Sequence, residues 1–193
     1  MALLSSPDEI ARRRALLAQP RHASLVAYAA ALRGQGPGLV PDMDPLDGGT
    51  GARVLLLLEK PGPGASRSGF VSRDNASPTS AAIREFLDQA GLPRDQTLLW
   101  NTVPAWNGTI RVTGAEVRAG LGHLAALLPL LPCLDTVILV GTRAARAEAL
   151  LRGTGLTLLR SAHPSPQVRA AFPQRWADIP KVWTQARAGR IGH

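Results

Sequence analysis

The sequence predicts an α/β protein with three layers, α/β/α, built around a four-stranded parallel central sheet. The first observation is the apolar run Val54–Leu58, which is typical of a strand buried on both faces. The second is that three further short apolar runs alternate with helical patterns along the chain. Strands that alternate with helices form a parallel sheet covered by helices on both faces.

Length and composition favour one globular domain over residues 1–193. The 45% of hydrophobic and 19% of charged residues exclude a disordered chain. The longest apolar runs are far too short for a membrane span, and no basic segment precedes an apolar one at the start of the chain. We therefore expect a cytoplasmic monomer that does not contact a membrane.

The single cysteine, Cys133, limits the chemistry that is available. One cysteine cannot form an internal disulfide, a four-cysteine zinc site or an iron–sulfur cluster. The four histidines have no metal-ligand spacing, so neither a metal nor another cofactor is expected. Cys133 itself is expected to be a small buried hydrophobic residue.

The net charge of +8 suits a polyanionic partner such as nucleic acid. However, nearly all the basic residues are arginine, and Lys60 and Lys181 are the only lysines. A GC-rich genome would produce the same bias, so charge alone leaves both explanations open.

The N-terminal part is expected to be helical over residues 1–33. Ser6, Pro7 and Glu9 have the pattern of a capping box at a helix start, and a second helix is expected over 22–33. Arg12–Arg14 are expected on the solvated face of the first helix. Residues 34–52 are rich in glycine and proline and predict a covering loop.

The α/β core is expected over residues 53–193. Strands are predicted at about 53–59, 97–101, 136–140 and 156–160, with long loops over 60–76 and 102–112. Ser77 and Gly91 bound one helix, and Thr113 with Glu116 forms a capping box for the next. Further helices are predicted at about 143–152 and 173–188.

Polar residues follow three of the predicted strands, in segments 59–70, 101–107 and 163–167. The carboxyl ends of parallel strands share one edge of the sheet, where such folds bind ligands. A dinucleotide-binding fingerprint would require glycine at position 67, where this chain has Arg67. A phosphate-binding loop of the Gly-x4-Gly-Lys type is absent. These mismatches count against a small-nucleotide-binding protein, which remains one alternative.

Three segments at this edge resemble the uracil-DNA glycosylase superfamily, in the order that the family has them. They are Leu58–Gly62 followed by Gly69–Ser72, then Leu98–Val103, then His163–Gln167 with its His-Pro-Ser-Pro sequence. The resemblance covers roughly residues 53–175. It implies a uracil-DNA glycosylase-like fold and a base pocket that receives a nucleotide flipped out of DNA.

The resemblance implies roles for single residues. Asn101 would read the uracil edge, and His163 would donate to the base oxygen O2 as negative charge develops there. Glu59 would position water or stabilise the sugar cation. The substrate-binding set comprises Lys60, Pro61, Gly62, Phe70 and Asn101, in which Phe70 would stack on the base.

Simpler structural explanations remain for these residues. Glu59 could cap a neighbouring backbone, Asn101 and His163 could be turn residues, and Phe70 could belong to the core. Asp74 is a turn residue or a second candidate for activating water. Lys60 could also contact phosphate or pair with Glu59.

The chain departs from the pattern of that superfamily at Lys60 and at Gly62. Lys60 stands where the classic enzymes carry the aspartate that holds water, and Glu59 resembles the branch that uses glutamate. That branch usually has cysteine ligands for an iron–sulfur cluster, which one cysteine cannot supply. Gly62 stands where the most uracil-selective enzymes have a tyrosine that excludes the thymine methyl, so we expect a divergent, cluster-free member with a wider pocket.

Further residues are expected to contact DNA by positioning its backbone. They are Pro63, Ser66, Arg73, Pro104, Ser165, Gln167 and Arg169. Gln167 occupies the place where many relatives insert a leucine into the vacated stack.

The expected function is a monofunctional DNA-repair glycosylase. It would hydrolyse the N-glycosidic bond of uracil, or of other deaminated bases, in single- or double-stranded DNA and leave an abasic site for base excision repair. The alternative from a different class is a DNA-binding member of the same fold that has lost catalysis, which the missing aspartate would favour.

Overall fold

The computed structural model describes residues 3–36 and 38–188. Six strands lie in these ranges: β1 Asp42–Met43, β2 Val54–Leu58, β3 Phe70–Val71, β4 Thr97–Asn101, β5 Thr136–Val140 and β6 Thr157–Ser161. Nine α-helices lie in them: α1 Pro7–Leu16, α2 Ala23–Leu32, α3 Pro63–Ser68, α4 Pro78–Gln89, α5 Gly114–Leu127, α6 Glu148–Leu151, α7 Pro166–Ala171, α8 Pro173–Ala177 and α9 Ile179–Thr184.

The central sheet has four parallel strands in the order β4-β2-β5-β6. Every residue of β2, β4 and β5 is buried, as their continuous apolar sequences require of strands covered on both faces. In the register of β2 with β4, Leu58 lies opposite Asn101, so both strands end side by side. The predicted α/β fold with a four-stranded parallel sheet is confirmed.

The N-terminal helices pack on this sheet. Leu25, Tyr28 and Leu32 of α2 belong to the same cluster of buried hydrophobic side chains as the strands. The Tyr28 hydroxyl donates to the backbone oxygen of His123 in α5 at 2.9 Å, and its ring lies 5.8 Å from that of Trp100. This packing agrees with one domain over residues 1–193, which stays a prediction.

Short elements account for most differences from the sequence-based expectation. The segments 34–52 and 60–76, both predicted as loops, contain β1, α3 and β3, and β1 pairs with β3 in parallel. Strands of two residues are too short to show a hydrophobic period. Gly69, with φ of +80°, ends α3 in the left-handed conformation that glycine adopts readily.

The C-terminal region also differs from the prediction. The single helix expected over 173–188 is divided into α8, α9 and a 3-10 turn, and α7 precedes them. Pro180 lies at the start of α9, where a missing backbone N–H is tolerated. The helix expected over 143–152 is a 3-10 turn followed by α6.

Two expectations about burial are wrong. Cys133 is exposed, because it lies in the turn before β5 and not in the core. Arg13, expected on a solvated face, is 0% exposed and pairs with Asp44 and Asp74. Charged neighbours from distant segments compensate the cost of burying its guanidinium, which residue periodicity along one helix cannot reveal.

Arg13 belongs to a group of polar residues, all buried except the partly exposed Arg94, that we call the Arg13 cluster. Its members are Arg13, Asp44, Asp47, Ser72, Arg73, Asp74 and Arg94. They come from α1, from the segment before β2, from the loop after β3 and from the turn before β4. The cluster therefore ties the N-terminal helix to the loop that follows β3.

In the described ranges, no helix combines the length and apolar character that crossing a membrane requires.

Candidate active site

A cavity of about 460 Å³ opens at the carboxyl ends of β2 and β4, a size typical of small-molecule sites. It receives nine of the predicted site residues. They are Glu59, Lys60, Pro61, Gly62, Pro63, Asn101, His163, Ser165 and Gln167. The strand ends that the sequence predicted to converge therefore do so around one space.

Backbone hydrogen bonds fix the first two strand ends against each other. The amides of Thr102 and Val103 donate to the backbone oxygens of Leu58 and Glu59, each at 2.8 Å. These bonds continue the β2–β4 ladder past its last residue pair. As a result, the side chains of Glu59 and Asn101 leave the sheet at a fixed separation.

Asn101 is the best-placed group for reading a ligand. It is 4% exposed and lines the cavity. Its side-chain amide makes no hydrogen bond within the described residues. A buried amide usually finds partners, so this one has both a donor and an acceptor available for a molecule in the cavity.

His163 follows β6 and enters the cavity beside Gly141. Gly141 has φ of +91°, and a Cβ atom built on it would lie 3.2 Å from His163 Cβ. Glycine at this position therefore allows the close approach of the histidine. Burial lowers the pKa of His163, although the nearby Glu59 acts to raise it. The imidazole is then neutral at pH 7 and carries one N–H donor.

Glu59 forms an ion pair at the cavity wall. Arg143 Nη1 donates to Glu59 Oε1 at 2.6 Å, with the Arg143 side chain 53% exposed and that of Glu59 24% exposed. The expected alternative, a pair between Glu59 and Lys60, does not form. The Glu59 carboxylate is thus held near His163 and Asn101 by a cation from the loop after β5.

Lys60 is turned toward the loop between β4 and α5. Its side chain is only 3% exposed, and Nζ donates to Asn107 Oδ1 at 2.8 Å, to Arg111 O at 3.0 Å and to Glu116 Oε1 at 2.9 Å. Three acceptors match the three N–H donors of an ammonium group. The hydrogen bond from Lys60 is also the main reason that the pKa of Glu116 lies below its ordinary value.

Gly62 leaves open space at the start of α3. A Cβ atom on Gly62 would have no neighbour within 4 Å, and the residue lines the cavity. Two residues on, a Cβ on Gly64 would lie 3.3 Å from Asn75 Cβ. The wall is therefore tightly packed at Gly64 and unfilled at Gly62.

The structure does not bring the remaining predicted residues to the cavity. Phe70 is 1% exposed inside the protein, and Val71 and Ser72 form the adjacent wall. Pro104 is buried, and Ser66 is partly buried outside the lining. Arg169 is exposed, with its guanidinium carbon 4.9 Å from the centre of the Trp176 ring.

Arg73 and Asp74 correct two expectations. Arg73, expected to contact DNA, is 4% exposed and pairs with Asp47. Asp74, the second candidate for activating water, accepts from Arg13 and Arg94 at 2.7 Å. Although burial acts to raise its pKa, these bonds hold the pKa of Asp74 below the ordinary value. Both side chains serve the Arg13 cluster.

The cavity also contains residues that the sequence did not single out. Arg143 and Ile110 lie in loops that follow β5 and β4 at the predicted ligand edge. Their position in the sequence could therefore have predicted them as cavity residues. Polar residues at the start of α4 line the wall too: Ser77, Thr79 and Ser80. No group of three or more metal-ligating side chains occurs within residues 3–36 and 38–188.

This fold and this cavity define an α/β protein with a ligand site at the carboxyl edge of a parallel sheet. The family model of the uracil DNA glycosylase superfamily matches residues 46–187, so the chain belongs to that superfamily. A solution NMR structure from Methanosarcina acetivorans, provisionally assigned as a uracil DNA glycosylase, is similar at 18% identity. The match has a TM-score of 0.51 and covers 78% of this chain and 98% of the other, which supports the fold. No curated protein matches the chain.

Proposed function

We propose that this protein is a monofunctional DNA glycosylase that hydrolyses the N-glycosidic bond of uracil and leaves an abasic site. The observation that carries the proposal is the convergence of Asn101, His163 and Glu59 on one cavity. The three groups supply a base-reading amide, a neutral donor and a carboxylate. Membership of the superfamily supports DNA as the partner.

Recognition would rest on Asn101. A nucleotide rotated out of the DNA stack can reach a recessed pocket. The Asn101 carbonyl oxygen can accept from uracil N3–H, and its amide NH₂ can donate to O4. Cytosine presents the opposite pattern at these two positions, so in this orientation of the amide it would leave both protein groups unpaired.

Bond cleavage would rest on His163 and Glu59. As the glycosidic bond breaks, negative charge moves onto the base and positive charge onto the sugar. The neutral His163, which is partly buried in the cavity lining, donates its N–H toward O2, where the negative charge is greatest. The Glu59 carboxylate stabilises the sugar cation or orients the attacking water.

The contacts of Lys60 support a glycosylase without lyase chemistry. A lyase needs a deprotonated amine that attacks C1′ of the sugar. All three Nζ donors of Lys60 are occupied by protein acceptors, one of them the carboxylate of Glu116. The proposed product is therefore an intact abasic strand.

Contact with the DNA backbone would come from the cavity rim. Pro63, Ser165 and Gln167 lie there, and Ser165 also caps α7 by accepting from the amide of Val168. Hydroxyl groups and loop amides position phosphates without reading sequence. The net charge of +8 strengthens attraction to either single- or double-stranded DNA.

The range of bases would be wider than uracil alone. Open space at Gly62 leaves room beside the base that a tyrosine would fill. We expect Gly62→Tyr to lower excision of thymine and other bulkier bases at least tenfold more than excision of uracil. Oligonucleotides with thymine, hypoxanthine or xanthine measure this, with Gly34→Tyr as the control because that glycine also has open space but does not line the cavity.

The decisive experiment uses single- and double-stranded oligonucleotides that contain one uracil. Alkali cleaves abasic sites, so strand scission after incubation measures excision. Scission by the wild type that is lost at least tenfold in Asn101→Ala supports the proposal. No scission at stoichiometric protein, together with measurable DNA affinity, would instead identify a binding protein that has lost catalysis.

A further inference from the structure

The loop between β4 and α5, residues 102–113, contributes one apolar side chain to the cavity mouth. This side chain is Ile110, which is 74% exposed and still lines the cavity. The neighbouring backbone carries Asn107 and Arg111, both exposed. A branched apolar group at a cavity mouth gains free energy when a ligand removes it from water.

This loop is fastened from inside the protein. Lys60 Nζ bonds to Asn107 Oδ1 and Arg111 O, which lie on either side of Ile110 in the sequence. Asn107 Nδ2 also donates to Glu116 Oε1 at 3.1 Å, so the ammonium and the amide share one carboxylate. At the base of the loop, the backbones of Leu39 and Trp106 exchange two hydrogen bonds of 2.8 Å.

Burial of Lys60 has a cost that its contacts must offset. Its side chain is 3% exposed, and removing an ammonium from water is unfavourable unless it is paired and hydrogen-bonded. Two of its three acceptors belong to residues 107–111, all of which are exposed. The result is a loop held in one conformation before a ligand arrives, which reduces the entropy lost on binding.

We propose that Lys60 is a positioning residue that holds loop 102–113 so that Ile110 covers the extruded nucleotide at the cavity mouth. This inference rests on the proposed function, because the covered ligand is the nucleotide to be cleaved. The inner walls supply apolar contact from Val71, Ile83 and Leu99. Ile110 supplies it on the side that faces solvent.

The test is steady-state excision from a single-stranded and a double-stranded uracil oligonucleotide. We expect Ile110→Ala to lower kcat/KM about tenfold on both substrates, and Ile110→Val to stay within about twofold of the wild type. Leu3→Ala is the control, because Leu3 is 47% exposed and does not line the cavity. It should leave kcat/KM unchanged.

A double-mutant cycle tests the link to Lys60. If Lys60 acts through the loop, Ile110→Ala adds little to the loss that Lys60→Met causes. Lys181→Met is the matched control, since Lys181 is 75% exposed in a pair with Asp178. If Lys60→Met does not fold, Asn107→Ala takes its place in the cycle, because it removes one acceptor of Lys60 and leaves the Lys60–Glu116 pair. Ile110→Ala should again add little to the loss of kcat/KM that Asn107→Ala causes.

Several results would overturn the inference. Losses of kcat/KM that are additive in both cycles would show that Lys60 does not act through Ile110. A loss by Ile110→Ala on duplex DNA alone would assign the side chain to the base stack beside the lesion. An unchanged kcat/KM in Ile110→Ala, with normal wild-type excision, would reject the loop contact and leave the proposed function intact.

Failure of the proposed function has a separate signature, which is no excision by the wild type. In that case, fluorescence anisotropy compares affinity for the same single-stranded oligonucleotide with and without its uracil. A wild-type preference for uracil that Ile110→Ala reduces about fivefold or more would still support the loop contact. No preference in the wild type rejects both proposals.

Discussion

The cavity and the Arg13 cluster share the loop after β3 but use their polar residues in opposite ways. Ser72 takes part in both, because it lines the cavity and its hydroxyl bonds to Asp44 and to the amide of Asp74. In the cluster, acidic and basic side chains pair with one another, and most of them are buried. In the cavity, the Asn101 amide is unbonded within the described residues, and the Glu59–Arg143 pair is half open to solvent.

The difference separates polar residues that bond to one another inside the protein from polar residues that a ligand in the cavity could reach. Buried charges that are paired hold distant segments together, and losing one partner leaves the others uncompensated. A recessed polar group without a partner stabilises nothing in the free protein, but it can meet a ligand. Residue type does not distinguish the two cases, since Asp74 and Glu59 are both carboxylates that follow short strands.

The largest effect is expected for Arg13→Ala, measured as the free energy of unfolding in urea. The change removes the fully buried cation and leaves the partly exposed Arg94 as the partner that Asp44 and Asp74 share, so we expect a loss of up to about 3–5 kcal/mol. Arg12→Ala is the control, because Arg12 pairs with Glu9 on the surface with 54% of its side chain exposed. Similar losses in the two variants would show that the cluster does not anchor α1.

His163→Ala tests the cavity side of the comparison. Removing a donor aimed at developing charge should reduce kcat by about 10²–10³, while affinity for undamaged DNA changes little. Asn101→Ala should reduce kcat at least about tenfold. The control is His123→Ala, since His123 lies in α5 outside the cavity. If His163→Ala keeps a near-normal rate, the assignment of the donor is wrong.

Asp47 predicts a pH dependence that belongs to the cluster. Burial raises its pKa from 3.8 to about 7, although Arg73 acts to lower it. The folded state therefore holds this proton more tightly than the unfolded one. The stability that it contributes is complete below about pH 4 and is lost as the pH rises through 7.

Urea unfolding at pH 5 and pH 8 measures this contribution. Asp47→Asn mimics the protonated carboxyl. The difference in the free energy of unfolding between pH 5 and pH 8 should therefore be smaller in this variant by at least about 1 kcal/mol. Asp178→Asn is the matched control. A lysine partner lowers the pKa of Asp178, so this group titrates below the tested range. An unchanged difference in Asp47→Asn would place the sensitive group elsewhere.

Arg143→Gln should have the smallest effect on stability. Its pair with Glu59 is 53% exposed on the arginine side, so solvent screens it, and we expect a loss of less than about 1 kcal/mol. If Arg143 also meets phosphate in the complex, the slope of log affinity against log salt becomes about one unit shallower. A stability loss as large as that of Arg13→Ala would remove the contrast between the two regions.

The sequence was sufficient where the physical signal is local or repeats along the chain. The central strands were found from continuous apolar runs, and α5 from the Thr113–Glu116 capping box, in which both hydrogen bonds are present. Nine predicted site residues line the cavity because parallel strands bring their carboxyl ends to one edge. Their chemical roles remain proposals.

What the sequence could not give depends on partners from distant segments. Arg13 lies within three consecutive arginines, and nothing local distinguishes it from Arg12 and Arg14 before Asp44 and Asp74 are brought near. Phe70 was expected at the cavity, but it lies in β3 with 1% of its surface exposed and outside the cavity lining. Lys60 and Glu59 stand side by side in the sequence, yet each pairs with a residue more than fifty positions away.

Gly141 has no side chain and forms no part of the proposed chemistry, yet it determines how close His163 can lie to β5. An alanine at this position would be strained at φ of +91° and would press on His163 Cβ from 3.2 Å. In a library of random variants, substitutions of Gly141 should therefore reduce activity as substitutions of His163 do. Selection for the His163 imidazole would therefore also maintain a residue without a side chain at position 141.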